Sequence, residues 1–295
     1  MGRGGVVSRT VEEPDPADAS PSEVVEVPVY IRSRGESLGA VLSIPAEAPA
    51  SSVGVVLMAG RARDRAHRNG MWVKAAHALA TRGIYALRLD YPGVGNSSGV
   101  PQVFSLESPP SWAVGDACDF LVRETPVRRI LLVGSCFGGR VVLDAANDIS
   151  EVQAVAVVSA PTHARTRRMR VRIRAKMARL LGREMRVPRQ MSAAHQRREG
   201  GLPLERRVSP AFARSVKQFL RRGHAYFLYG DRDFVWDELR FALDRLALPR
   251  DRYELDVVPG SIHAFQSIDI QRLTVEKAVA WCVRCATAQE PAERV

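Results

Sequence analysis

No run of 18 or more apolar residues occurs in the 295-residue chain, so no transmembrane helix is expected. The opening MGRGGVVSRTVEEPD lacks the apolar core of a secretory signal. Val6 stands where a myristoylation signal requires Ser or Thr. Cysteine is scarce: four residues without dense spacing give no disulfide scaffold, and a reducing cytoplasm is the expected location. Lysine is equally scarce, four residues against 39 arginines, a ratio that codon bias in a GC-rich genome explains as well as function does. What is present is ordinary globular material, 46% hydrophobic and 25% charged, enough for the core of one large domain or two small ones. That composition excludes a mainly disordered, collagenous or coiled-coil protein.

The net charge of +11 is not spread evenly. Residues 161–222 carry 19 Lys or Arg against three acids, Glu184, Glu199 and Glu205. The remaining residues hold 24 bases and 29 acids, so the body is mildly acidic and one segment carries the whole excess. Confined to one segment and without a recognition motif, that charge gives no nucleic-acid partner.

Residues 1–22, rich in Pro, Asp, Ser and Gly, read as a flexible tail, and 289–295 as a second tail. From Glu23 the chain alternates. EVVEVPVYIR and ESLGAVLSIP flank Ser-Arg-Gly, a hairpin signal. Apolar strands are expected at 53–60, 84–90, 128–134, 152–160, 224–230 and 252–260. Between them, helical stretches follow Trp72 and cover 112–124, 137–147, 239–246 and 269–285. Continuous apolar strands alternating with helices imply an α/β fold, a mostly parallel sheet covered on both faces.

The basic segment breaks the rhythm. Met169, Ile173, Met177 and Leu180 recur at helical spacing. A second helix starts with Ser209 as N-cap and Pro210 behind it, and carries Phe212, Val216, Phe219 and Leu220 on one face. These imply a helical lid over 161–222, inserted between core segments 23–160 and 223–288. Its stripe of Met169, Ile173 and Met177 would face the pocket, with Arg167, Arg168 and Arg170 at the substrate entrance.

Chemistry is carried by Gly134-Ser135-Cys136-Phe137-Gly138-Gly139, between a strand and a helix. A strand–nucleophile–helix elbow needs small residues two positions before and after its central residue. Gly134 and Gly138 satisfy this around Cys136, whereas Ser135 would have Val133 and Phe137 there. Cys136 is therefore the candidate nucleophile. On its own, a cysteine after a strand is more often a small core residue.

From about Glu23 onward the chain resembles the α/β-hydrolase superfamily. The Cys-centred elbow looks like that of dienelactone hydrolases. LDYPGVGNSSG (89–99) looks like the D-x-x-G-x-G-x-S-x-G loop of serine aminopeptidase-like and exosortase-associated hydrolases. In that superfamily the acid and then the histidine follow the nucleophile. Gly230-Asp231-Arg232-Asp233 resembles the G-x-x-D acid loop, which places the acid at Asp233 with Asp231 as close competitor. Gly260-Ser261-Ile262-His263 resembles the terminal histidine loop, which makes His263 the base. The implied oxyanion hole uses the backbone N–H groups of Phe137 and Arg61, although Ala59-Gly60 stands where many relatives have His-Gly.

The other candidates read as structural. His67 and His77 flank a helix start, although His67-Arg68 sits near the expected oxyanion loop, and His163, His195 and His224 suit exposed or capping positions. Cys118 fits an apolar helix face, and Cys282-Val283-Arg284-Cys285 lacks partner ligands, so no metal site is expected. No cofactor is implied.

A cysteine in the elbow favours particular substrates. Thiolate attacks carbonyls well but also leaves well, so thioesters and enol esters or lactones suit it better than plain alkyl esters. The expected function is hydrolysis, acyl transfer or cyclisation of a small-molecule acyl substrate, of a kind found in natural-product metabolism. Coenzyme A or an acidic acyl-carrier protein would fit the basic lid as carrier. A basic amphipathic helix can also rest on an anionic bilayer, but no membrane partner is expected. Two alternatives remain at this point: a lyase in which His263 abstracts a proton and a carboxylate leaves, and a non-catalytic protein binding an acidic partner. Oligomeric state is not legible.

Overall fold

Strands β1 (Val25–Ser33) and β2 (Glu36–Ile44) pair antiparallel, Ser33 opposite Glu36. Arg34 and Gly35 between them both take positive φ (50° and 84°), the backbone of a tight hairpin turn whose twist matches its strands. In this computed structural model the described residues are 24–46, 52–60, 63–101, 104–162, 208–233, 235–263 and 265–288. Both expected tails, 1–22 and 289–295, lie outside them.

The remaining strands are β3 (Val53–Met58), β4 (Tyr85–Leu89), β5 (Arg129–Ser135), β6 (Val152–Val158), β7 (His224–Gly230) and β8 (Tyr253–Val258). They form one eight-stranded sheet in the order β1-β2-β4-β3-β5-β6-β7-β8. β2 is antiparallel to both neighbours, and every pairing from β4 to β8 is parallel. All six residues of β3 are buried, and alternate side chains enter opposite cores: Val56 and Met58 on one face, Val53, Val55 and Leu57 on the other. This is the α/β class expected from the apolar strand runs.

Helix α1 (Met71–Ala80) covers one face together with the closing helix α6 (Ile268–Thr287), through Trp72, Ala76, Leu79 and Trp281. The other face takes α2 (Ser111–Glu124), α3 (Phe137–Ala145), α4 (Pro210–Phe219) and α5 (Trp236–Leu246). Helix α5 begins three residues earlier than its apolar periodicity indicates; Asp237 and Glu238 in its first turn favour the positive end of the helix dipole. Among the described residues no helix is long and apolar enough to cross a membrane.

Helix α4 corrects one expectation. Ser209 caps it, its side chain accepting from Phe212 N–H, with Pro210 in the first turn as anticipated. The helix is not part of a lid, however. Phe212, Val216, Phe219 and Leu220 are all buried in the core that α3 shares, because an apolar stripe this continuous is more stable against the sheet layer than over an open pocket. Ser209 N–H donates to Thr162 O at 2.7 Å, so the chain leaves and rejoins the core at one place. Arg140, 3% exposed, clamps that junction by donating to Pro161 O, Leu106 O and Ser209 Oγ. Burial lowers its pKa to about 10, against the pull of Glu107, Tyr229 and Asp144, so it stays charged at neutral pH. The rest of the expected lid, including Met169, Ile173, Met177, Leu180 and the entrance candidates Arg167, Arg168 and Arg170, lies outside the described residues.

Candidate active site

Cys136 sits between the last residue of β5 and the first of α3, with φ 51° and ψ −118°. A β-carbon is strained there, and non-glycine residues persist in such regions only where the surroundings fix them. The fixing contacts come from two glycines. A methyl on Gly134 would lie 2.3 Å from Gly138 O, and one on Gly138 would lie 2.5 Å from Ala59 O and 2.6 Å from Met58 O. The elbow therefore seats directly on the C-terminal end of β3. That end is itself held by Tyr91 Oη donating to Ala59 O at 2.8 Å and Trp72 Nε1 donating to Met58 O at 3.1 Å.

The parallel strands then deliver two more side chains. His263, in the loop after β8, places Nε2 3.2 Å from Cys136 Sγ. Its Nδ1 lies 3.2 Å from Asp233 Oδ2, in the loop after β7. The Asp233 side chain is fully buried and its Oδ1 accepts from Val235 N–H, whereas Asp231 is exposed. Of the two acids left open by the sequence, Asp233 is the one that meets the histidine. Burial pulls the His263 pKa down, but its side-chain bonds to Asp233 and Cys136 and its electrostatic coupling to both outweigh that and hold it at about 10.

Phe137 is the first residue of α3, so the positive end of that helix lies directly behind Cys136. Its ring packs 5.9 Å from Tyr91. Arg61, the other oxyanion candidate, lies outside the described residues. Its neighbour Gly60 passes beside the elbow, where an added methyl would come 3.3 Å from Cys136 Cβ. Among the described residues no group of three or more His, Cys, Asp or Glu is placed to hold a metal ion.

Two features were not anticipated. Arg65 and Asp90 form an ion pair joining the loop after β3 to the end of β4. Asp90 also accepts from Arg65 N–H at 2.6 Å and Asn96 N–H at 3.1 Å, so the Asp90–Gly99 loop braces the segment that passes the elbow. The second is His67, whose Nε2 lies 2.8 Å from Ser135 Oγ, beside the candidate nucleophile. In sequence its only signal is its place in the loop after β3.

The family model of the alpha/beta hydrolase family matches residues 55–278. The chain belongs to that family. Solved structures agree in fold. The alpha/beta hydrolase GrgF from Penicillium sp. sh18 is 19% identical with a TM-score of 0.64, covering 89% of this chain and 98% of its own. Est1E from Butyrivibrio proteoclasticus, solved with ferulic acid bound, is 18% identical with a TM-score of 0.60, over 87% and 98%. The dienelactone hydrolase from Anabaena variabilis ATCC 29413 is 17% identical with a TM-score of 0.56, over 88% and 98%. Among curated proteins none matches. For this alpha/beta hydrolase the comparisons account for the sheet order, and its chemistry has to be argued from its own residues.

Proposed function

We propose that this alpha/beta hydrolase is an acyl-transferring enzyme with Cys136 as nucleophile, His263 as acid and base, and Asp233 as the carboxylate that orients the imidazole. The observation that carries this reading is the continuous relay from Asp233 Oδ2 through His263 to Cys136 Sγ, two contacts of 3.2 Å, ending on a residue with φ 51°. Nucleophile, base and orienting acid in sequence constitute the general pattern of activated covalent catalysis.

The Cys136 thiolate attacks the acyl carbon and the carbonyl electrons move to oxygen, beside the N-terminus of α3. Collapse breaks the bond to the leaving group, which takes the Nε2 proton of His263. Neutral His263 then accepts a proton from water, or from an amine or alcohol, as that group attacks the acyl-enzyme. Cys136 is released as thiolate and the resting ion pair returns. Thiolate departs from the tetrahedral intermediate more readily than an alkoxide. Thioesters and enol esters or lactones, whose leaving groups are stable anions, are accordingly the favoured substrates. The 19 cations of residues 161–222 favour an anionic carrier, coenzyme A or an acidic acyl-carrier protein.

The test is intact-mass analysis after incubation with a panel of acyl thioesters and activated lactones. The expected result is an acyl adduct on Cys136, absent from Cys136→Ala, which also loses turnover. Undiminished turnover by a folded Cys136→Ala would discard covalent catalysis at this residue.

A further inference from the structure

His67 takes no part in the relay just described, yet one ring joins three segments that build it. It lies in the loop after β3 with φ 61°. Its Nδ1 accepts from Arg68 N–H at 2.7 Å. The neutral ring therefore carries its proton on Nε2 and donates it to Ser135 Oγ at 2.8 Å. Ser135 is fully buried, ends β5, and is bonded directly to Cys136. The ring of His67 also lies edge-on to Phe265, 5.9 Å between centroids, and Phe265 follows His263 by two residues. A parallel brace runs through Gln271 of α6, which is 5% exposed. It accepts from Asn69 Nδ2 at 3.0 Å and donates to Phe265 O at 2.8 Å.

We propose that His67 is a positioning residue that locks the loop after β3, the Cys136 elbow and the His263 loop in one register through its Ser135 hydrogen bond and its Phe265 contact. The inference rests on the reading of Cys136 as nucleophile. His67 is not itself a second base. Its Nδ1 lone pair is engaged by Arg68, its Nε2 already bears hydrogen, and buried Ser135 is out of a substrate's reach. Burial, with Arg63 and Arg68 nearby and Asp64 opposing, lowers its pKa to about 4, so the ring stays neutral at neutral pH. The need for such a lock follows from geometry. Cys136 and His263 belong to loops 127 residues apart, and a misplacement of about 1 Å in a reacting pair lowers rates by up to roughly hundredfold.

Iodoacetamide alkylation followed by mass spectrometry tests this without knowledge of the substrate. Cys285 serves as internal reference, because burial, with Glu254 adding to it, pushes its thiol up to about 11. If wild-type Cys136 reacts no faster than Cys285 at pH 7, the nucleophile reading fails before any variant is compared. Given a fast Cys136, His67→Phe keeps the ring contact but loses both hydrogen bonds. It should slow Cys136 about tenfold and leave Cys285 unchanged, with kcat on a turned-over thioester falling in parallel and KM steady. His67→Gln, whose Nε2 reaches the same point, should recover most of the rate. Ser135→Ala removes the acceptor instead and should reproduce the loss, which covers the case of a His67→Phe protein that does not fold. Wild-type Cys136 reactivity in folded His67→Phe or Ser135→Ala would overturn the proposal, as would equal loss in His67→Phe and His67→Gln.

Discussion

Arg65 and Asp90 are joined by an ion pair in which the Asp90 side chain is fully buried and the Arg65 side chain is 21% exposed. This asymmetry predicts which partner matters more. Arg65→Leu strands a buried carboxylate and should destabilise the protein by about 3 kcal/mol. Asp90→Asn leaves an arginine that can turn to water and keeps an acceptor for Arg65 N–H, so its loss should be nearer 1 kcal/mol. Urea unfolding of the two variants measures the difference. Because Arg65 lies in the loop beside the elbow, Arg65→Leu should also lower kcat. Equal midpoints would mean that the pair contributes little beyond its backbone bonds.

The elbow glycines give the sharpest steric test. Gly138→Ala drives a methyl onto the backbone oxygens of Met58, at the end of β3, and Ala59, neither of which has side-chain freedom to yield, and Gly134→Ala meets Gly138 O in the same way. Each should lower stability by about 1–3 kcal/mol or more and displace Cys136. Gly115, in α2 with nothing within 4 Å of an added methyl, is the matched control. Gly115→Ala should raise stability by about 0.5–1 kcal/mol through helix propensity. Thermal unfolding of the three variants decides.

The contrast between these glycines also shows what sequence carries. Register around Cys136 is local, since the glycines two positions either side of it, Gly134 and Gly138, specify the turn, and the structure places backbone against backbone where the pattern requires glycine. The fold class was legible for a similar reason: apolar runs the length of a strand state that both faces are covered. The second amphipathic helix was misassigned because periodicity reveals that Phe212, Val216 and Phe219 need covering, not what covers them. Nor was His67 legible as more than structural, since its partner Ser135 lies 68 residues away and only the sheet brings them together. The acid loop's resemblance pointed to Asp233 over its neighbour Asp231, and the buried Asp233 side chain is the one that meets His263.

Asp233→Asn and Asp231→Asn should therefore behave very differently. The first replaces the carboxylate that meets His263 Nδ1 and removes one of the interactions that raise the ring's pKa. The scale set by neutralising an orienting acid is a loss of roughly 10²–10⁴-fold in kcat. Asp231 is exposed, and its replacement should leave kcat within about twofold. Steady-state rates on the same acyl donor suffice, and comparable losses would return the acid role to dispute.

Salt should discriminate between a steering role for the basic segment and a merely solvated one. If residues 161–222 attract an anionic carrier, kcat/KM should fall steeply between low and physiological ionic strength, where the Debye length shrinks to about 8 Å. Reversing Arg167, Arg168 and Arg170 to Glu should flatten that dependence and lower kcat/KM at low salt, with kcat unchanged. Flat kinetics in the unaltered protein, or indifference to the triple reversal, rule steering out.

The two histidines near Cys136 should leave opposite marks on stability. His263 has a pKa raised to about 10, so its stabilising contribution is complete below the ordinary value of 6.5 and is lost as pH rises through 10. His67 has a pKa lowered to about 4, so its contribution is complete above 6.5 and is lost as pH falls through 4. Melting temperatures across pH should show His263→Gln flattening the alkaline decline and His67→Gln flattening the acid one. Activity carries a further distinction. As His263 deprotonates near pH 10, an alkyl ester loses the proton donor its alkoxide needs, while a thioester expels a thiolate that needs none. The alkaline fall in kcat/KM should therefore be steeper for an alkyl ester than for the thioester of the same acid. Identical profiles would show that His263 does not protonate the leaving group, and proton donation would then have to come from water or another side chain.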